Sequence, residues 1–240
     1  MEPTLILAVC AIGLIMTAMH IQHRRRVKAR RAAMFDQCKP LLSEVSVSQD
    51  DVDFPVLTGR YRGVSVKLQP IADHVGYRKL PSLWLLVTVR GDIPYQGVFD
   101  FLVRPQNIEF FSPSEQLEYQ LEPPAHWPQY TALKTNDVDT MPPLARLEKH
   151  MDLFEDDKAK ELLVTPNGVR LVYQANQANQ NNYRTLRSLA FDDLVLKPEQ
   201  VADLLDRAVL LYQDLTEKTD DETTANNSDQ TTLKTACGFA

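Results

Sequence analysis

The sequence predicts an α+β fold, with an N-terminal transmembrane helix followed by a mainly antiparallel sheet and packing helices. Three observations predict it: an uncharged apolar run at the N-terminus, closely spaced strand-like segments between residues 56 and 111, and an amphipathic segment at 199–215. Strands joined by hairpin-length links pair antiparallel, whereas a doubly wound parallel sheet needs helical crossovers. We divide the 240 residues into a transmembrane helix at 4–22, a basic juxtamembrane segment at 23–39, an α+β domain at 40–215 and a disordered tail at 216–240.

The N-terminal run has the length and composition of a membrane-spanning helix. No residue from 3 to 22 carries a formal charge if His20 is neutral. Residues 4–21 in helical conformation rise about 27 Å, close to the ~30 Å hydrocarbon core of a bilayer. The alternatives are a cleaved signal peptide and a buried core helix. A signal peptide carries its positive charge before the apolar run, and a core helix is not expected beside such a dense basic run.

Six basic residues follow the apolar run directly and set its orientation. Lys and Arg that flank a transmembrane helix stay on the cytoplasmic side. We therefore expect a single-pass protein of the cell membrane, in a bacterium the inner membrane, with its N-terminus outside and residues 23–240 in the cytoplasm. Bases near a membrane surface also attract anionic headgroups, at about 1 kcal/mol each. The predicted membrane-surface contacts are Arg24, Arg25, Arg26, Lys28, Arg30 and Arg31. The alternative is a topology signal and nothing more.

The rest of the chain is acidic. Beyond residue 39 it holds 19 basic and 30 acidic residues, a net charge of −11. Such a body repels phosphate backbones, so we expect no nucleic-acid partner. The three cysteines, Cys10, Cys38 and Cys237, have neither zinc-type spacing nor the pattern of a disulfide framework.

Local patterns place the elements of the domain. The basic segment continues as a helix over 24–38. A hairpin joins strands 56–61 and 64–68 through Arg62-Gly63, and a second joins 162–165 and 169–174 through Pro166-Asn167-Gly168, with a bulged or slightly longer turn. Further strands are predicted at 83–90, 97–104, 108–111, 130–135 and 183–191. Helices are predicted at 112–121, where Ser112 is a candidate N-cap, at 144–154 and at 199–215.

Four stretches carry a resemblance to known sequences: residues 59–68, 78–89, 104–112 and 162–191. Their order resembles that of uncharacterised bacterial single-pass membrane proteins with a cytoplasmic α+β domain of unknown function. The resemblance covers about half of the chain and contains no catalytic signature. It therefore implies an architecture and a bacterial source, and no activity.

The sequence contains no nucleotide-binding, hydrolase or metalloprotease motif, so we predict no cofactor and no metal. The acid pairs Asp156-Asp157 and Asp192-Asp193 are typical of caps or solvated charge. Arg78-Lys79-Leu80-Pro81 is a candidate rim for a partner, and the group of Tyr183, Arg184 and Arg187 is a candidate anion site. For both, a solvated face is the favoured interpretation.

Two classes of function remain. The favoured one is a non-catalytic interaction domain that binds another membrane or membrane-associated protein, or a second copy of itself. The alternative is a membrane-tethered enzyme whose site is assembled from distant residues, with Asp73, His74, Asp100 and Glu109 as its candidate members. Missing motifs argue only weakly against such a site, because catalytic sets are defined by geometry.

Overall fold

The computed structural model describes residues 3–73, 80–105, 109–178, 191 and 194–217, without the side chains of Leu5 and Ile6. Three helices lie within these residues: α1 (Pro3–Ala32), α2 (Leu144–Leu147) and α3 (Pro198–Thr216). The strands are β1 (Ser43–Ser48), β2 (Val56–Tyr61), β3 (Val64–Ala72), β4 (Ser82–Arg90), β5 (Phe99–Val103), β6 (Tyr119–Leu121), β7 (Thr131–Thr135), β8 (Ala159–Thr165) and β9 (Gly168–Gln177).

All nine strands form one sheet in the order β1-β2-β3-β4-β9-β8-β5-β7-β6. Every neighbouring pair is antiparallel, which confirms the predicted α+β class with an antiparallel sheet. The two centre strands, β4 and β9, are the ones against which α3 packs. The apolar stripe of α3, which includes Val201, Leu204 and Leu205, is buried there with alternate residues of the strands. The amphipathic pattern of residues 199–215 thus predicted both the helix and its buried face.

The two predicted hairpins are present, and their turns are tight. In the first, Arg62 and Gly63 both have positive φ, at 48° and 86°, as a two-residue turn between twisted strands requires. In the second, Thr165 pairs with Gly168, so that only Pro166 and Asn167 form the loop. The prediction of a longer turn was wrong because Gly168, at φ 139°, still belongs to the strand. A Cβ there would lie 2.1 Å from the carbonyl oxygen of Val89 on β4.

Two local predictions fail between residues 108 and 121. Residues 109–111 form a turn, in which the Ser112 N–H donates to the Glu109 carbonyl at 2.8 Å, and not a strand; Ile108 lies outside the described residues. The predicted helix over 112–121 is reduced to a single 3-10 turn at Ser114–Gln116, followed by β6. Pairing of β6 with β7 overrides the local capping signal.

Other predicted elements differ from the structure in type or extent, or lie outside the described residues. The predicted helix over 144–154 is α2 followed by a 3-10 helix at Glu148–Glu155. Strand β1, whose side chains are all exposed, gave no burial pattern in the sequence and was not predicted. Most of the predicted strand at 183–191, and the predicted tail beyond residue 217, lie outside the described residues.

Helix α1 runs without a break from the apolar run into the basic segment. It ends at Ala32, earlier than the predicted 38, and is followed by 3-10 turns at Ala33–Phe35 and Lys39–Leu41. Met34, Phe35 and Cys38 are fully buried in the domain core. Taking the described residues alone, no helix combines the length and the hydropathy needed to cross a membrane.

Replacing Gly168 by alanine should destabilise the domain strongly. The substitution combines strain at a positive φ with a clash against the β4 backbone, and we expect it to lower the free energy of unfolding by about 2–4 kcal/mol. Gly63→Ala is the matched control, because Gly63 also has a positive φ but its Cβ would meet nothing within 4 Å. It should cost only about 1 kcal/mol. Equal losses in a denaturant titration would contradict the clash with Val89.

Candidate functional site

The face of the sheet opposite α3 is covered over only part of its area. Residues 109–117, here called the strap, lie over β5, β8 and β9 on this face. Phe111 packs on Trp84 with ring centroids 5.5 Å apart, and both join a small cluster of buried side chains that includes Leu86, Leu102 and Val172. The remaining part, over β2, the first half of β3 and the ends of β4 and β9 that carry Arg90 and Gly168, is without such a cover among the described residues, and we call it the open face.

Polar side chains from four strands hold the strap in place. Lys160 of β8 lies 3.0 Å from the Glu109 carboxylate, and Lys134 of β7 donates to the Ser114 carbonyl at 3.0 Å. Arg170 of β9 donates to the Phe111 carbonyl at 2.7 Å. Ser112 donates its hydroxyl hydrogen to Asp100 of β5 at 3.0 Å. Buried charge-assisted hydrogen bonds of this kind are stronger than neutral ones, so the strap is a fixed part of the fold.

Two carboxyl groups are buried completely under the strap. Asp100 and Glu161 have no solvent exposure, and Arg170 donates to Glu161 through Nε at 3.2 Å and through Nη2 at 3.0 Å. Asp100 Oδ1 and Glu161 Oε1 accept no hydrogen bond from the described residues. Two buried acceptors without donors are costly, and a proton shared between neighbouring carboxyls removes that cost.

The pKa values of both carboxyl groups reflect this burial. Burial, and then the neighbouring Glu161, raise the pKa of Asp100 to about 8, and the hydrogen bond from Ser112 only partly opposes them. Burial also raises the pKa of Glu161, while Arg170 favours its charged form. We therefore assign the proton at neutral pH to Asp100 and the negative charge to Glu161.

The structure brings together only part of the residue set that the enzyme hypothesis named. Asp100 contacts the strap and Glu109 pairs with Lys160, but each has its own partner. Asp73 is buried at the end of β3, where its N–H donates to the Ser82 carbonyl at 2.8 Å. His74 lies outside the described residues. Because the carboxyls of Asp100 and Glu161 are sealed from solvent, a substrate cannot reach them while the strap is in place.

Glu161, Arg170 and Lys160 are the members of this cluster that sequence reasoning missed. Each is a charged residue inside an apolar strand run, at positions where a core strand is otherwise buried. That conflict between charge and burial was the available signal. It does not reveal the partner, since Asp100 precedes Glu161 by some sixty residues in sequence.

The six predicted membrane-surface residues divide into two groups. Arg24 pairs with Asp51, and Arg31 donates to the Val52 carbonyl at 2.6 Å and lies 4.4 Å from the centre of the Phe54 ring. These two hold α1 on the β1–β2 loop. The other four are exposed and form no ion pair with a described carboxylate: Arg25, Arg26, Lys28 and Arg30. They remain the predicted lipid contacts.

A groove of about 710 Å³ opens where α1 meets the sheet. It lies between Arg31, the β1–β2 loop and the end of β3, and Phe54, Ile71 and Phe110 contribute apolar wall. A second groove of about 380 Å³, beside α3, is acidic, and two of its carboxylates are paired with one arginine. Arg207 binds Asp152 at 2.8 Å and Asp203 at 3.1 Å.

The other candidates from the sequence have structural roles or cannot be placed. Asp156 accepts hydrogen bonds from the Lys158 N–H at 2.9 Å and the Tyr173 hydroxyl at 2.7 Å, so it closes a turn as predicted, and Asp157 is fully exposed. No group of three metal-ligating side chains occurs among the described residues. Five candidate groups lie outside them: Asp192-Asp193, Arg78-Lys79, Tyr183, Arg184 and Arg187.

Comparison with known proteins adds little to this fold. No family model matches the chain, and no curated protein matches it. One solved structure with a distant likeness is that of the mycobacterial trehalose monomycolate transport factor A, at 12% identity and a TM-score of 0.34. The match covers 73% of this chain and 73% of that one.

Replacing Asp100 by asparagine should flatten the pH dependence of stability. The unfolded carboxyl ionises near pH 4 and the folded one near pH 8, so the folded state holds an extra proton between about pH 4 and 8. Stability from the neutral form is therefore complete below this window and is lost as the pH rises through it. An asparagine side chain keeps a neutral donor at every pH, so above pH 8 Asp100→Asn should be more stable than the wild type by at least about 1 kcal/mol.

Denaturant titrations at several pH values give the slope of the unfolding free energy against pH for the wild type and for Asp100→Asn. Asp157→Asn is the control, because the Asp157 side chain is fully exposed, and its slope should match that of the wild type. A wild-type slope retained in Asp100→Asn would show that Asp100 ionises normally in the folded protein.

Proposed function

We propose that this chain is a single-pass membrane protein whose C-terminal domain is a non-catalytic cytoplasmic interaction module. Its partner is another membrane or membrane-associated protein, or a second copy of the chain. One observation carries the proposal: the first half of α1 exposes large apolar side chains that no described residue of the domain covers. Exposed apolar surface of this extent is costly in water and is typical of a lipid or protein contact.

The apolar side chains surround α1 on all sides, which supports spanning over lying flat. The exposed members are Leu7, Val9, Ile12, Leu14, Ile15, Met16, Met19 and Ile21, with Leu14 72% exposed. At 3.6 residues per turn, these positions are spread around the whole circumference of the helix. A helix that lies in a membrane surface needs a polar face instead. In the sequence the run also includes Leu5 and Ile6, so eighteen uncharged residues extend from 4 to 21.

The basic turns that follow support the proposed orientation. Arg25, Arg26, Lys28 and Arg30 lie directly after the apolar run and are exposed. Such a flank favours a cytoplasmic domain and suits anionic headgroups. The continuous helix also fixes the domain close to the membrane surface, where tethering raises the effective concentration of membrane-bound partners.

The burial of the Asp100–Glu161 pair supports an interaction module over an enzyme. A catalytic acid must reach a proton on its substrate, and these groups are closed off by a strap anchored to four strands. Neither carboxyl lines either of the two grooves described above. The enzyme remains the alternative, and it would need the strap to open.

Expression in bacteria tests the anchor and its orientation together. The full chain should fractionate with membranes and resist alkaline carbonate extraction, because its apolar helix lies in hydrocarbon. A reporter that is active only in the periplasm, fused after Ala240, should be silent, while a cytoplasmic reporter at the same place should be active. Carbonate-soluble protein would refute the anchor, and periplasmic activity would refute the orientation.

Neutralising Arg25, Arg26, Lys28 and Arg30 should weaken the orientation without disturbing the domain, since these four make no ion pair with it. A mixed population, seen as partial activity of both reporters, is the expected result. The matched control neutralises four exposed bases of the domain: Arg62, Lys149, Lys158 and Lys197. It should leave the orientation uniform.

A further inference from the structure

Four cations alternate between two neighbouring rows of residues on the face of the sheet opposite α3, at the end of the sheet farther from the C-terminal end of α1. We call this set, Arg60, Lys67, Arg90 and Arg170, the zigzag. Strand register places Arg60 of β2, Ser65 of β3, Arg90 of β4 and Gly168 of β9 in one row across the sheet. The next row holds Thr58, Lys67, Thr88 and Arg170 in the same strand order. Paired residues of antiparallel strands share a face, so all these side chains lie on one side. The two rows contain four cations, three hydroxyls and no carboxylate.

This arrangement is electrostatically unfavourable by itself. Arg60, Lys67 and Arg90 form no ion pair with any described carboxylate, and only Arg170 is neutralised, by Glu161 beneath it. Lys67 is partly buried, and burial and the nearby Arg90 lower its pKa. The cations are diagonal neighbours on adjacent strands, about 7–8 Å apart, so each lies within range of the repulsion of the next. In a chain with a net charge of −6, a face of this kind is an exception to the surrounding surface.

A groove of about 440 Å³ runs beside the zigzag over β4, β9 and β8. Its walls include Thr88, Arg90, Thr165, Asn167 and Arg170, with Asp92 as its one carboxylate. Donors from side chains therefore line a concave surface next to unpaired cations. Such a combination is typical of sites that bind anionic groups.

We infer that the three cations of this zigzag without a described carboxylate partner, Arg60, Lys67 and Arg90, dock an extended acidic peptide segment of a partner protein, while Arg170 stays engaged with Glu161 and the strap. The inference rests on the proposed function and specifies the chemistry of the partner. Adjacent strands are about 4.8 Å apart, so these three cations, on β2, β3 and β4, are spread over roughly 10 Å. Alternate side chains of an extended peptide repeat about every 6.6–6.8 Å, so several carboxylates can meet several cations at once. A single phosphate group could engage only one or two of them.

The position of the zigzag argues against a membrane surface as its ligand. Along β3, Ala72 lies in the groove next to Arg31 of α1, whereas Ser65 pairs with Arg90. Seven residues of strand separate these two points, or about 23 Å. The cations therefore lie well away from the end of α1 that meets the sheet, at a place that a cytoplasmic partner can approach.

The test measures the binding of a fluorescein-labelled oligoglutamate peptide to the full chain in non-ionic detergent, by fluorescence anisotropy. The full chain in detergent gives a reading whether or not α1 spans a membrane, so failure here is distinct from failure of the anchor. We expect saturable binding that weakens with salt. Lys67→Ala with Arg90→Ala should raise the dissociation constant about fivefold or more, since each exposed pair contributes modestly.

The control pair is Lys158→Ala with Lys197→Ala, which removes the same charge from exposed positions elsewhere. It should change the dissociation constant by less than about twofold. Circular dichroism and thermal melts should show that both double variants fold.

Three results would overturn the inference. The first is equal weakening in both double variants, or no binding of the peptide, because either would mean that the zigzag is not a site. The second is inorganic phosphate competing as effectively as unlabelled oligoglutamate, which would indicate a small-anion site. The third is vesicles containing anionic lipid binding the chain through Lys67 and Arg90 while the peptide does not.

Discussion

The connection between α1 and the sheet determines what the first half of the helix can contact. Gln49 donates to the Lys28 carbonyl at 3.2 Å, Arg24 pairs with Asp51, and Arg31 contacts Val52 and Phe54. Directly after the helix, Phe35 is buried in the core. A helix held along its last turns cannot fold its first half back onto the domain. The apolar side chains of residues 7–21 are therefore left to a surrounding other than this domain.

The two faces of the sheet carry different side chains because they are covered to different extents. One face is covered by α3 and the 3-10 helix at Glu148–Glu155, which together bury the larger apolar cluster. On the other face the strap is the cover that the described residues provide, and strand residues there are apolar under Phe111 and polar beyond it. Burying the pair Asp100 and Glu161 under the strap costs desolvation, which the contacts with Arg170 and Ser112 only partly offset. The basic zigzag and the groove beside Arg31 of α1 both lie where the cover by the strap ends.

Patterns of burial could be predicted from the sequence where they are local. The strand predicted at 83–90 is buried along nearly its whole length, and the helix predicted at 199–215 has one buried apolar stripe. Both predictions were confirmed. Ser112 accepts the Ser114 N–H at 3.1 Å, as its N-cap context predicted, but its hydroxyl also donates to Asp100 on another strand, and the helix does not extend beyond one turn. Strand β1 is exposed on both sides and has no periodicity to detect.

The candidate site was less predictable because it depends on register. Asp100 was singled out, but Glu161 becomes its neighbour only when β8 lies beside β5. The same holds for the zigzag, whose cations are ordinary strand residues until the pairing of β2, β3 and β4 aligns them.

The native Cys10 gives the most direct test of the central claim, that the first half of α1 lies in a membrane. A Cys237→Ser variant leaves Cys10 on the exposed apolar helix and Cys38, which is buried and has its thiol pKa raised to about 11 by that burial. A membrane-impermeant maleimide does not enter the hydrocarbon core, so Cys10 should resist it in membrane fragments open on both sides. Ser46→Cys in the same background, on exposed β1, is the positive control. We predict rapid labelling of the control and labelling of Cys10 only after denaturation; equally rapid labelling of Cys10 would contradict the claim.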